Sequence, residues 1–295
     1  MLAYVSVIIP TYNDNKRLAQ CLEALGKQTY PQEKCEIIVV DNGSDVSPAD
    51  LVAKYKNARL VHEEKAGSYT ARNKGIAVAK GDIFAFTDAD CIPDTTWLEN
   101  GVVHIEADDD VCVIGGRTDI FYSHPSKPTS VELYEKLYAF PTERNIRLHH
   151  YAPTCNLFTT RATIDAIGLF NDTLKSGGDL EWGQRAYNAG VALQYADDAI
   201  VKHPARSTWA QLAKKVRRVA GGQVDSALQS SRPVWKQRLL YYDFFPPISS
   251  LGRLLKTTDF KLQEKMKILG VIAVSRVVAI REKTALLLWE KDRQR

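Results

Sequence analysis

The sequence predicts an α/β protein: a mostly parallel sheet covered by helices on both faces, followed by a basic, helical C-terminal extension. Two observations carry that prediction. Strand-like apolar runs at 4–10, 35–40, 59–62, 82–87 and 110–115 alternate with helix-compatible segments at about 15–28, 48–57, 68–80 and 94–107. Such a βαβ series lays parallel strands side by side and buries both faces of the sheet. The charge also changes sign along the chain. Residues 202–295 hold 20 Lys/Arg against 7 Asp/Glu, net +13, whereas 1–201 carry −9 within an overall +4. With 295 residues, 45% of them hydrophobic and 25% charged, the chain is long enough for one large α/β domain or for one domain plus an appendage, and is too apolar for disorder.

Taken in order, Val5-Ser6-Val7-Ile8-Ile9 forms the first strand and runs into the polar turn Pro10-Thr11-Tyr12-Asn13. Asn13 or Asp14 is expected to cap the helix that carries Leu18, Cys21, Leu22 and Leu25. The second strand, Ile37-Ile38-Val39-Val40, ends in Asp41-Asn42-Gly43-Ser44. Gly81 is expected to stop the third helix. The run Ile83 to Phe86, bounded by that glycine and by Thr87-Asp88-Ala89-Asp90, reads as a buried strand. From about 116 the pattern changes to a loop, Ser123–Pro128, and an aromatic-rich helix over 130–147. The segment Tyr151–Thr160, a helix near 178–190, a short strand near 191–195 and the segment Ile200–Pro204 follow. The basic region after 205 reads as helical, interrupted at Phe245-Pro246-Pro247.

The five cysteines (Cys21, Cys35, Cys91, Cys112, Cys155) are scattered, odd in number and without CxxC spacing, so they read as reduced thiols and not as disulfides or a zinc site. Met1 leads straight into the first strand without a basic segment or cleavage site, so no signal peptide is expected. The expected location is the cytoplasm, with association to the inner face of the cell membrane as an option.

Three strand ends converge on one edge of the predicted sheet, where open α/β folds place their ligands. Asp88 and Asp90, two residues apart, offer hard oxygen donors suited to Mg²⁺ or Mn²⁺, which in turn holds a diphosphate. They could equally form a solvated acidic turn capping the helix near Trp97. Asp41 can accept the imide N–H of a uracil while Tyr12 lies against its face. Alternatively Asp41 is an ordinary turn carboxylate beside Asn-Gly-Ser.

The segments VSVIIPTYN (5–13), VVDNGSDV (39–46), ARNKGIAVAKGDIFAFTDAD (71–90) and SGGDLEWGQRAYNAG (176–190) together resemble the inverting family 2 glycosyltransferases, which have the GT-A fold with its Rossmann-like sheet. The resemblance covers roughly residues 4–205. It implies a catalytic domain over 1–205, with a nucleotide-sugar half to about 115 and an acceptor half to 205, and a separate extension over 206–295. It also implies that Pro10, Thr11, Tyr12 and Asp41 hold the nucleobase and ribose, that Arg72 lies near the base or diphosphate, and that Asp88 lies near the ribose or donor sugar. Asp90 would bind Mn²⁺ or Mg²⁺, and His203 could complete the metal or diphosphate site or be a structural histidine.

Asp179 falls where the family carries the base that deprotonates the acceptor hydroxyl, although it would also serve as a helix N-cap. Many relatives have Glu-Asp where this chain has Gly178-Asp179, which leaves Asp179 as the candidate. Glu181, two residues further along the helix, would point elsewhere. Trp182 and Asn156 are expected near the acceptor or sugar, and Arg185 in a helix ion pair. The implied reaction moves a sugar from a nucleotide-diphospho-sugar, UDP-linked by preference, to a sugar, polysaccharide or lipid-linked hydroxyl. A nucleotidyltransferase would usually show a Gly-rich basic loop after the first strand, and a dehydrogenase a GxGxxG; neither is present. A non-catalytic nucleotide-sugar-binding module would need no base. Nucleic acid is not an expected partner. The basic tail, with the aromatic run Leu239–Phe245, suits either an anionic membrane surface or a packed helical extension. The apolar run Ile268–Ile280, broken by Ser275 and Arg276, is too short for the about 20 apolar residues of a membrane span.

Overall fold

The computed structural model describes residues 2–107, 111–229 and 247–288. The aromatic run Leu239–Phe245, the Phe245-Pro246 interruption and the start of the strand expected at 110 lie outside them. The first half alternates as expected: β1 (Val5–Thr11), α1 (Asn15–Leu25), β2 (Cys35–Asp41), α2 (Ala49–Val52), β3 (Ala58–His62), α3 (Ser68–Val78) and β4 (Ile83–Thr87). After it come β5 (Ile92–Pro93), α4 (Trp97–Glu106), β6 (Cys112–Phe121), α5 (Ser130–Tyr138), α6 (Thr142–His149), β7 (Asn156–Thr160), α7 (Arg161–Ile167), α8 (Gly178–Asn188) and β8 (Ala192–Pro204). The chain continues as α9 (Trp209–Gln229), α10 (Ile248–Lys256) and α11 (Leu262–Leu288).

Eight strands form one sheet in the order β3-β2-β1-β4-β7-β6-β8-β5. β3, β2, β1 and β4 are parallel, and β7 then pairs antiparallel with both β4 and β6. Alternation along β1 sends Val5, Val7 and Ile9 into a core shared with Leu18, Leu22 and Trp97, and Ile8 into a second core with Tyr69, Phe86 and Trp182. Both faces of the sheet are therefore dry, which leaves its edges for chemistry.

Three local expectations change. The helix expected over 130–147 is two helices, because Pro141 lacks the N–H that would continue α5 and disfavours helical geometry at Phe140, which takes φ +49°. The short strand near 191–195 and the segment Ile200–Pro204 are one strand, β8. Gly81 does not stop α3, which ends at Val78. Its role is close approach, since a Cβ there would lie 2.5 Å from the Tyr4 carbonyl oxygen.

The chain divides into two compact units. The first comprises Met1–Asp119, Phe140–Thr173 and Gly178–His203; the second comprises Ile120–Ala139, Leu174–Gly177 and the residues from Pro204 onward. In the second unit a Thr129/Glu132 capping box starts α5, whose Leu133 packs with Leu254, Ile268 and Ile272 of α10 and α11. Glu135, fully buried, accepts from Arg206 at 2.7 Å and Lys215 at 2.9 Å.

Candidate active site

In the first unit, the ends of β1 and β2 are tied together by Asn13. This residue adopts φ +51°, donates to Ser44 Oγ through its backbone N–H at 2.9 Å, and exchanges side-chain bonds with Asp45 at 2.8 and 2.9 Å. The latch leaves Tyr12 62% exposed beside the end of β1. Thr11 is buried, and its Oγ1 has no hydrogen-bond partner among the described residues. Pro10 is half-buried on the same strand. Asp41, 3% exposed, accepts from the Ser44 N–H through Oδ1 at 3.1 Å, and its Oδ2 lies 3.5 Å from His62 Nδ1. Asn42 shapes the loop into α3, donating to the Glu63 and Lys65 carbonyls and accepting from Gly67 N–H. The four residues assigned to the nucleobase thus share one corner of the sheet edge.

The turn after β4 carries the acidic pair. Asp88 forms an ion pair with Arg72, a buried α3 residue whose Nη1 also donates to the Ser68 carbonyl at 3.3 Å. Asp90 lies 3.6 Å from His203 Nε2 and 3.5 Å from Arg17 Nη1, and Arg17 is paired in turn with Asp14 at 2.5 Å. Asp14 sits at the N-cap position of α1 but makes no side-chain cap bond, its carboxylate being taken by Arg17. The ring of Phe140, whose backbone takes φ +49°, packs 4.6 Å from the His203 ring between centroids. Burial raises the Asp90 carboxyl above its ordinary range; Asp88 and Asp14 push the same way, while His203 and Arg17 oppose. A half-buried acid beside other acids and an imidazole is a donor set that a divalent cation would satisfy, and its carboxylate oxygens are the hard donors that Mn²⁺ or Mg²⁺ takes.

Cys91 completes a cluster in which ligand atoms of Asp90, Cys91 and His203 all lie within 4.8 Å of one another. Its thiol is pushed well above the ordinary range by burial and by Cys155, so it packs inward as a protonated side chain. Sequence reasoning missed this neighbourhood and that of Arg17. Only the i, i+3 spacing of Asp14 and Arg17 hints at the latter.

Asp179 stands in the first turn of α8, half-buried. Its Oδ1 accepts from the Leu180 N–H at 3.0 Å and from the Tyr69 hydroxyl at 3.3 Å. Burial raises its carboxyl above the ordinary range, against the Leu180 N–H, the Arg72 charge and the Tyr69 hydroxyl. α3 therefore serves both acids from one turn, Tyr69 reaching Asp179 and Arg72 reaching Asp88. The departure at Gly178 has a steric reason: a Cβ there would lie 2.6 Å from the Tyr69 ring.

Two expected site residues are placed elsewhere. Trp182 is 0% exposed, donates to the Gly168 carbonyl at 2.9 Å and packs on Phe170. Asn156, 1% exposed, accepts from Trp97 Nε1 and donates to the Arg117 and Ala199 carbonyls. Their side chains are spent inside the core, so neither lines a sugar pocket. Arg185 makes the expected helix pair with Glu181, at 3.0 Å.

Residues 6–165 match the profile of Glycosyl transferase family 2. The chain is 39% identical over 228 residues to "Glycosyltransferase AglE" of Haloferax volcanii, spanning 76% of this chain and 74% of that protein. Its backbone is similar to that of the mannosyltransferase PcManGT from Pyrobaculum calidifontis, solved with GDP-Man and Mn²⁺ (TM-score 0.63, 19% identity, 99% of this chain and 89% of that one). It also resembles S. aureus TarS 1–349 solved with UDP-GlcNAc (TM-score 0.55, 22% identity, 98% and 85%). The curled mixed sheet, the matched profile and the similarity to a named glycosyltransferase agree: the chain belongs to glycosyl transferase family 2 and is a glycosyltransferase of GT-A fold.

Proposed function

We propose that this glycosyltransferase moves a sugar from a nucleotide-diphospho-sugar to an acceptor hydroxyl by direct displacement, with Asp179 as the base. The observation that carries the reading is the half-buried Asp179 carboxyl, raised above its usual range and joined through Tyr69 and Arg72 of one helix to the Asp88–Asp90 turn. A raised carboxylate is a stronger base than a free one, and a positioned base contributes roughly 10²–10⁴ in rate. Asp179 takes the hydroxyl proton as the acceptor oxygen bonds to the anomeric carbon. The bond from that carbon to the diphosphate breaks on the opposite face, so an α-linked donor gives a β-linked product.

Asp90 and His203 would hold Mn²⁺ or Mg²⁺, which supplies Lewis-acid neutralisation of the departing diphosphate. Tyr12 gives the nucleobase a face to lie on, and the Asp41 oxygen not taken by Ser44 accepts its imide N–H. That pairing is the basis of the UDP preference. GDP-Man in one neighbouring structure and UDP-GlcNAc in another make the nucleotide a matter for experiment. The test is release of nucleotide from UDP-, GDP- and dTDP-sugars with Mn²⁺ or Mg²⁺. UDP-sugar turnover supports the reading, and no turnover of any donor contradicts it.

The second unit supports a membrane-proximal acceptor. Ile248 and Leu255 of α10, and Leu262, Met266 and Val277 of α11, are exposed. Residues 247–288 carry 8 Lys/Arg against 3 Asp/Glu. Apolar side chains among basic ones suit the interface of an anionic bilayer, whereas two copies meeting there would face like charges. No helix among the described residues is long and apolar enough to cross a membrane. A lipid-linked acceptor is the class that such a surface favours.

A further inference from the structure

The Tyr69 hydroxyl makes two contacts with one residue: it donates to Asp179 Oδ1 at 3.3 Å and accepts from the Asp179 backbone N–H at 3.2 Å. One phenol thereby fixes both the carboxylate and the backbone that carries it. The ring itself has little freedom. It is 6% exposed, stacks on Phe170 at 6.0 Å between centroids, and has the Arg72 guanidinium 5.7 Å from its centre. Phe170 is held in turn, since Asn73 donates to its carbonyl at 2.8 Å and accepts from its N–H at 3.1 Å. The Phe86 ring meets Phe170 edge-on at 5.5 Å. On the remaining side lies Gly178, whose Cβ, if present, would come within 2.6 to 2.8 Å of three Tyr69 ring atoms. Gly178 is not a positive-φ glycine, so space and not backbone conformation explains it.

We propose that Tyr69 is a positioning residue for the Asp179 base, and that Gly178 is the space its ring requires; the proposal rests on Asp179 being the base. The groups facing Asp179 are Tyr69 and Arg72 from α3, the Leu180 N–H from α8, and Tyr151 from the segment after α6. Of these, Tyr69 alone bonds both the side chain and the main chain of Asp179. A hydroxyl donating to a carboxylate favours its ionised form, and fixing its rotamer keeps the proton-accepting oxygen in one place.

Tyr69→Phe removes the hydroxyl and keeps the ring. The expected result, with the sugar nucleotide that the donor panel selects, is a kcat lower by roughly tenfold, the weight of one hydrogen bond to a charged group. The donor KM should be unchanged and the acid limb of the kcat–pH profile should move to higher pH. Gly178→Ala should also lower kcat, because it pushes the ring away. Combined with Tyr69→Phe it should add little further loss, since both act through one hydroxyl. A readout without turnover is the pH dependence of the Tm difference between the parent and its Asp179→Asn variant. Adding Tyr69→Phe should move its transition to higher pH.

Asp179→Asn separates the two claims. If turnover survives that change, the base reading itself fails. If Asp179→Asn is inactive while Tyr69→Phe keeps the parent kcat, or loses kcat with neither pH transition moved, the positioning role of Tyr69 is overturned and the base stands.

Discussion

Replacing Asp179 by Asn should cost the enzyme its turnover and make the protein more stable. Asn keeps the size of the side chain, and its oxygen can still accept from the Leu180 N–H and the Tyr69 hydroxyl, bonds of 3.0 and 3.3 Å in the parent. What disappears is the charge that burial disfavours. The sign follows from linkage. A carboxyl whose folded pKa is raised above its unfolded value contributes stability below the unfolded pKa, and that contribution is lost as pH rises through the folded pKa. At neutral pH the parent therefore carries the whole cost, and the Asn variant none of it. Each unit of upward shift costs about 1.4 kcal/mol, and about 1 kcal/mol moves Tm by some 2–4 °C in a large domain. A Tm gain of a few degrees at neutral pH, shrinking as the buffer is acidified, is the expected scale. Turnover should fall at least ~100-fold, about 2.7 kcal/mol of transition-state stabilisation, with donor affinity nearly constant. Thermal melts over a pH series and initial rates on the same preparations decide it. A variant that is less stable at neutral pH, or that turns over normally, would refute the reasoning.

Asp90→Asn should abolish metal-dependent donor binding; calorimetric titration of the donor with and without Mn²⁺ checks this, and an unchanged metal dependence counts against Asp90 as a ligand. Glu135→Gln should lower Tm sharply, because breaking a buried pair costs about 3–5 kcal/mol. Burial pushes the Glu135 carboxyl up, but Lys215 and Arg206 outweigh it and leave it below the ordinary range. Its contribution should therefore persist at neutral pH and be lost only as acid reaches the depressed folded pKa, which a pH series of melts on parent and variant would show. The full chain should cosediment with phosphatidylglycerol vesicles at low salt and much less at high salt or with phosphatidylcholine. Leu255→Ser with Met266→Ser should weaken that binding, and equal sedimentation with all vesicles, or none, would contradict a basic-apolar docking face.

Much of the candidate site was legible because its residues stand at strand ends: Asp41 closes β2, and Asp88 and Asp90 follow β4, where an apolar run gives way to a polar turn. Local pattern reaches no further than that. Tyr69 and Asp179 are 110 residues apart, and Arg17 and Asp90 73 apart, so only folding brings them together. Asn156 and Trp182 misled because a polar or amphipathic side chain next to motif residues looks like a ligand contact. The structure spends Asn156 on the Trp97 indole and two carbonyls, and Trp182 on Gly168. Gly178 read as a lost carboxylate. Its meaning is the Tyr69 ring packed across it, which no pattern in its own segment encodes.

The most direct test of the account is the anomeric configuration of the product formed from an α-linked sugar nucleotide, followed by proton NMR during turnover with Mn²⁺. The account predicts that nucleoside diphosphate and a β-configured product appear together, and that chelation of the metal or Asp179→Asn stops both. An α-configured product, or release that continues unchanged in Asp179→Asn, would contradict direct displacement with Asp179 as the base.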